Sequence, residues 1–110
     1  MINKYLYFIA QVKIINEKYG LTRHEIALLD FSAKRHFSNE VVIVGELIRQ
    51  GDIASQATLH GALKSLINKK LLATKKSKED GRVKKVVLTK LALQRYKQLD
   101  LAIRGASRNG

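Results

Sequence analysis

A mainly α-helical domain carrying a small β-hairpin is the fold class that this 110-residue chain predicts. Three observations lead there. Apolar residues recur at three- and four-residue spacing in five separate segments, as they do on one-faced helices. Two short β-branched runs flank the Asp80-Gly81 pair, which is a strong hairpin signal. The apolar fraction of 45% is enough to build a core at this length, which buries roughly two-thirds of the unfolded surface. With no Cys, the chain forms no disulfide and no Cys-ligated zinc site.

The elements follow in order. Residues 3–18 read as a helix with Tyr5, Phe8, Ile9, Val12, Ile15 and Tyr19 on one broad face, and Gly20 ends it. Leu6 and Ile14 add apolar surface outside that stripe. Thr22 and Glu25 have the spacing of a capping box, so a second helix starts there and runs to about His36, with Ile26, Leu29 and Ala33 turned inward. Ser38 or Asn39 is placed to cap a third helix with Val41, Val44, Leu47 and Ile48 as its apolar stripe. Gln50-Gly51-Asp52 breaks it, and Ser55 caps a fourth helix to about Lys70, which buries Leu59, Leu63, Leu66 and Ile67. Residues 71–77 and 82–88 read as two strands joined by 78–81. Thr89 caps the last helix, with Leu93, Tyr96, Leu99 and Ile103 at helical period.

This order of elements is that of a winged helix-turn-helix, with residues 1–110 as a single domain. The helix-turn-helix falls at 38–70 and the wing at 71–88.

Charge is distributed unevenly over this frame. Residues 1–54 hold 7 basic and 6 acidic side chains, whereas residues 55–110 hold 14 and 3, out of a net charge of +12. Ten of the basic residues fall between Lys64 and Lys90. Concentration in one half predicts a face for a polyanion, most simply nucleic acid. A lysine-rich solvated surface without a partner is the plain alternative. An anionic membrane surface fits less well, because the charged stretch is not one amphipathic helix. Apolar runs such as 26–29 and 41–44 are too short to span a bilayer. Lys4, Gln11 and Lys13 interrupt any N-terminal targeting pattern, so a cytoplasmic protein is expected.

A helix fits the DNA major groove and reads base edges with its exposed side. Burying the apolar stripe of the fourth helix leaves Gln56, Ala57, His60, Gly61 and Lys64 outward. Gln56 and His60 can bond bases or phosphates, and Lys64 can reach phosphate. The free amides after Ser55 suit a phosphate oxygen as well. At the hairpin, Asp80-Gly81-Arg82 puts a guanidinium near the tip, where it can enter a narrow minor groove. Asp80 would orient Arg82 by a short-range ion pair. Lys75, Lys76, Lys78, Lys84 and Lys85 are candidate phosphate contacts. The plain alternatives are a helix cap, a solvated helix face and an exposed ion pair of little worth.

Several stretches resemble MarR-type winged-helix transcriptional regulators. Leu21-Thr22-Arg23-His24-Glu25-Ile26-Ala27-Leu28-Leu29 is similar to the opening of that family's second helix. Ser55-Gln56-Ala57-Thr58-Leu59-His60 with Leu63-Lys64-Ser65-Leu66 is similar to its recognition helix, and Lys69-Lys70-Leu71-Leu72 to the stretch entering the wing. Asp80-Gly81-Arg82 followed by Leu88-Thr89 resembles its wing signature. The likeness covers about residues 21–99. It implies a bacterial, nucleoid-associated regulator binding double-stranded DNA as a homodimer. Gln56, Ala57, Thr58 and His60 would then lie at the major groove, Arg82 in the minor groove, and Asp80 behind Arg82. Gly61 and Ala62 stand where recognition helices of the family often carry an arginine, Ala92 where a glycine is usual, and residues 30–54 align poorly. The resemblance is to a short variant with a reduced C-terminal dimerisation region, so residues 1–19 and 90–104 are expected to form the dimer.

Other chemistries find little support. His24, His36 and His60 lack metal-ligand spacing, the glycines form no phosphate loop, and the aromatic residues do not alternate with lysines. A non-enzyme without a cofactor is expected, and nothing in the residues specifies a small-molecule effector. A less specific DNA- or RNA-binding accessory protein and a winged-helix protein-interaction module stay open as alternatives.

Overall fold

The computed structural model describes residues 3–108. In chain order they form α1 (Lys4–Lys18), α2 (Arg23–Phe37), β1 (Val42–Ile43), α3 (Val44–Leu47), α4 (Gln56–Asn68), β2 (Leu72–Lys76), β3 (Lys84–Leu88) and α5 (Lys90–Arg108). Two compact units result: Thr22–Ala92, and Met1–Leu21 with Leu93–Gly110.

In the larger unit, α2 starts at the predicted capping box. Thr22 Oγ1 accepts from the Glu25 amide at 3.3 Å, and Glu25 Oε1 accepts from the Thr22 amide at 2.9 Å. Leu28, Leu29 and Ala33 on α2 pack in the core with Leu59, Leu63 and Leu66 of α4, Leu47 of α3, and Leu71, Leu72 and Val86 around the sheet. Each fully buried Leu is worth about 1.5–3 kcal/mol against exposure. Ile26 and Ile67, expected inward, are half-buried, while Leu28 and Ala62 are buried.

The predicted third helix is corrected. Asn39 adopts a left-handed φ of 58°, ending the turn after α2. The β-branched run from Val41 then goes extended instead of helical. Val42 pairs with Val86 and Ile43 with Lys85, adding a third antiparallel strand in the order β1-β3-β2. Only the four residues of α3 remain helical, and Ile43 before them makes no side-chain cap. Ser38 and Asn39 therefore cap no helix there.

Strands β2 and β3 pair from Leu72↔Leu88 to Lys76↔Lys84, and the Ser77 amide still donates to the Val83 carbonyl beyond them. The tip is not closed by a glycine at positive φ: among the described glycines only Gly20 has one, at 65°. Asp80 turns the chain instead, its Oδ1 accepting from the Arg82 amide at 3.0 Å and its carbonyl from the Val83 amide at 3.0 Å. At the base of the hairpin, the Thr89 hydroxyl lies 2.6 Å from the Lys70 carbonyl and accepts from the Ala92 amide at 3.1 Å. One residue thus closes the wing and caps α5.

In the smaller unit, α1 begins at Asn3, whose Oδ1 accepts from the Leu6 amide at 3.0 Å. Tyr7 lies beside Gly105, and Arg95 Nη2 donates to Asn16 Oδ1 at 2.7 Å, so α1 and the end of α5 run antiparallel. Tyr19 donates to Gln98 at 3.3 Å. None of the α1 residues is buried, and Tyr5, Leu6, Ile9 and Ile14 are exposed together with Leu101 and Ile103 of α5. Among the described residues no helix is long and apolar enough to cross a membrane.

Candidate nucleic-acid interface

Helix α4 has one buried side and one open side, as its sequence period requires. Leu59, Ala62, Leu63 and Leu66 face the core, while Gln56, Ala57, His60, Gly61 and Lys64 are exposed. Ala62 is turned inward and so takes no part in the outer face. At Gly61 an added Cβ would meet nothing within 4 Å, so packing inside the chain does not demand a glycine there. Ser55 caps the helix by accepting from the Thr58 amide at 3.3 Å. The Ser55 hydroxyl also lies 3.0 Å from the Thr58 hydroxyl, so both side chains have local bonds at the helix start.

The other end of α4 is held by a group that spacing alone did not reveal. Glu25, already part of the α2 cap, is 2% exposed. Its carboxylate accepts from Ser65 Oγ at 2.7 Å and from Lys69 Nζ at 2.8 Å. Burial pushes the Glu25 pKa up, but hydrogen bonds from Lys69, Ser65 and Thr22 outweigh it and lower the pKa from 4.5 to about 2. The carboxylate is therefore charged at neutral pH and ties α2 to the last turn of α4. Lys69 belongs to this latch, not to the outward basic face. Nothing local to Glu25 signals it, because the partners lie 40 and 44 positions away.

The wing presents the opposite case. Arg82 has 93% of its side chain in solvent, and its Nε donates to Asp80 Oδ1 at 3.3 Å. The pair expected from sequence is formed, and it leaves the other guanidinium nitrogens free for a partner. Lys75, Lys76, Lys78 and Lys84 are exposed and Lys85 is half-buried. Register sorts them: Lys75 stands opposite Lys85 and Lys76 opposite Lys84, and successive strand residues point to opposite faces. Like charges directly opposed repel, so both pairs gain from a polyanion.

The larger unit thus brings Gln56, His60 and Lys64 together on one helix face, and Asp80 with Arg82 at one tip. Lys75 and Lys85 share the other face of the wing. Among the described residues no group of His, Asp and Glu is placed to hold a metal ion.

The comparisons agree with this architecture. A family described as "Transcriptional regulator SarA/Rot" matches residues 10–99. No curated protein matches the chain. Among solved structures, the S. aureus MepR–DNA complex superposes with a TM-score of 0.76 at 14% identity, over 91% of this chain and 72% of that one. Transcriptional regulator Tm0710 from Thermotoga maritima gives 0.73 at 17% identity, over 91% and 67%. A MarR-like transcription regulator from Bacillus cereus gives 0.63 at 18% identity, over 96% and 73%. These likenesses establish the winged-helix fold.

Proposed function

The chain belongs to the SarA/Rot family of transcriptional regulators, and from that premise we propose that it controls transcription by binding duplex DNA as a cytoplasmic homodimer. In this reading the exposed side of α4 enters the major groove, with Gln56 and His60 toward base edges and Lys64 toward phosphate. Ala57, Thr58 and Gly61 allow close approach of the helix. Arg82 enters the minor groove with Asp80 setting its orientation. The observation that carries the reading is the contrast within α4: one side is buried and latched through Glu25, and the other is exposed and carries Gln56, His60 and Lys64. A relative of the same fold, MepR, has been seen in complex with DNA. The exposed apolar side chains of α1 and α5 supply a surface for a second copy. The family and the solved structures that the chain resembles are transcriptional regulators, which supports binding and not catalysis as its task.

The test is a titration of the protein against the duplex upstream of its own gene and a shuffled duplex, at several salt concentrations. Affinity should fall with salt for both, and the upstream duplex should bind more tightly. Equal affinity at every salt would reduce the protein to a general DNA-binding accessory factor. Absence of salt-dependent binding would leave the protein-interaction reading. In the same assay Arg82→Ala should cost about 1–3 kcal/mol of binding and relax preference at A·T-rich flanks.

A further inference from the structure

A groove of about 130 Å³ opens between the end of α2, β1 and β3. Val41, Val42, Val86, Val87 and Leu88 make its apolar floor, and Val42 and Val86 are partners in the sheet. An apolar cavity of about 150 Å³ takes a benzene ring, so this slightly smaller space suits one branched aliphatic side chain. Four polar side chains stand around the floor: Ser32, His36, Glu40 and Lys85. Among the described residues, none from α4 or the wing tip lines the groove, so it is separate from the DNA surface proposed above. The polar groups are of two kinds. Ser32 donates its hydroxyl proton to the Leu28 carbonyl at 3.1 Å, which leaves it lone pairs to offer. Arg35 reaches Glu40 only at 3.8 Å, because its guanidinium is engaged by Glu46 at 2.8 Å. Ser32 and Glu40 are therefore acceptors, whereas the half-buried Lys85 is purely a donor. Glu40 precedes β1 and Lys85 stands opposite Ile43, its last residue, so the two charges enter from opposite ends of the strand.

From this geometry we infer that the groove binds a free amino acid with a branched aliphatic side chain. Its carboxylate pairs with Lys85, its ammonium group with Glu40 and the Ser32 oxygen, and its side chain lies on the valine floor. A cation over an apolar floor would select a simple fatty acid, and a carboxylate over the same floor an alkyl amine. Both charges together select a zwitterion, since each would repel the wrong half of a singly charged ligand. The His36 ring, held edge-on to Phe37 at 5.1 Å, forms a wall of the site. An occupant would tie α2 to β3, the strand that leads out of the wing. The inference stands apart from the DNA reading, and its test needs no DNA.

Calorimetric titration of the full chain with L-leucine, isocaproate, isoamylamine and glycine decides it. Isocaproate lacks only the ammonium group of leucine, isoamylamine only the carboxylate, and glycine the side chain. Leucine should bind saturably with a Kd of about 1 mM or tighter, and each of the others at least about tenfold more weakly. Lys85→Gln and Glu40→Gln should each weaken leucine about tenfold or more. Glu40→Gln should at the same time strengthen isocaproate, and Lys85→Gln should strengthen isoamylamine. That crossed pattern is one that loss of folding does not produce, and thermal melts check each variant independently. No saturable leucine binding up to about 20 mM would overturn the site. Isocaproate or isoamylamine binding as tightly as leucine would overturn the zwitterion, and leucine binding unchanged in both variants would put the ligand elsewhere and overturn the groove.

Discussion

Glu25 with Lys69, and Asp80 with Arg82, are both carboxylate–cation pairs in the same unit, yet they do opposite work. Glu25 has 3% of its side chain exposed and accepts bonds from Lys69, Ser65 and the Thr22 amide. Asp80 and Arg82 sit at 43% and 93% in solvent, two residues apart on a turn. Buried charge is costly unless every lone pair is used, and breaking such a pair leaves that cost uncompensated. An exposed pair gains almost nothing from its own attraction. The first pair fixes where α4 lies. The second leaves an arginine exposed at the wing tip. On the DNA-binding reading proposed above, the two serve different needs: a scaffold stiff behind the helix and a cation cheap to redirect at the wing.

The largest effect should come from the buried pair. Glu25→Ala removes a helix cap and the α2–α4 latch together, and should lower unfolding free energy by about 3 kcal/mol in a denaturant titration. A change below 1 kcal/mol would mean that the hydrophobic core alone positions α4. The pH dependence is linked. The Glu25 pKa is depressed from 4.5 to about 2 in the folded protein, so its stabilisation is present above pH 4.5 and is lost as pH falls toward 2. A shift of this size corresponds to a loss on the order of 3 kcal/mol across that window. Thermal melts at stepped pH should show the decline in the wild type and a flatter profile in Glu25→Gln.

The two pairs also differ in how far sequence could reveal them. Asp80 and Arg82 are local, and a two-residue spacing on a hairpin tip was enough to predict their bond. The capping half of Glu25 was visible for the same reason, as were the Ser55 and Thr89 caps. The latch was not, because Ser65 and Lys69 meet Glu25 only after α4 packs on α2. The run from Val41 to Val44 failed in a related way: its apolar residues fit a helical stripe, while its β-branched side chains favour a strand. The choice was made by β3, 40-odd positions on, which offered an edge to pair with. The alternation of Lys84 and Lys85 was likewise unreadable until the register placed one of them toward α4. Outward residues of α4 were legible throughout, since a single helix period determines them.

Asp80→Ala carries the smallest effect in stability and the most informative one in function. Removing an exposed pair should change unfolding free energy by no more than about 0.5–1 kcal/mol, part of it from the lost turn bonds to the Arg82 amide. If Asp80 serves only the turn, duplex binding should improve slightly, because a negative charge has left a cationic wing. If it orients Arg82, binding should weaken even though net positive charge has risen, since the guanidinium loses the bond from its Nε and must be ordered by the DNA itself. The sign of the change in affinity at fixed salt therefore separates the two roles. Weaker binding with stability nearly unchanged is the expected result. It would mark the exposed pair as a device for aiming an arginine, in contrast with the buried pair that holds a helix.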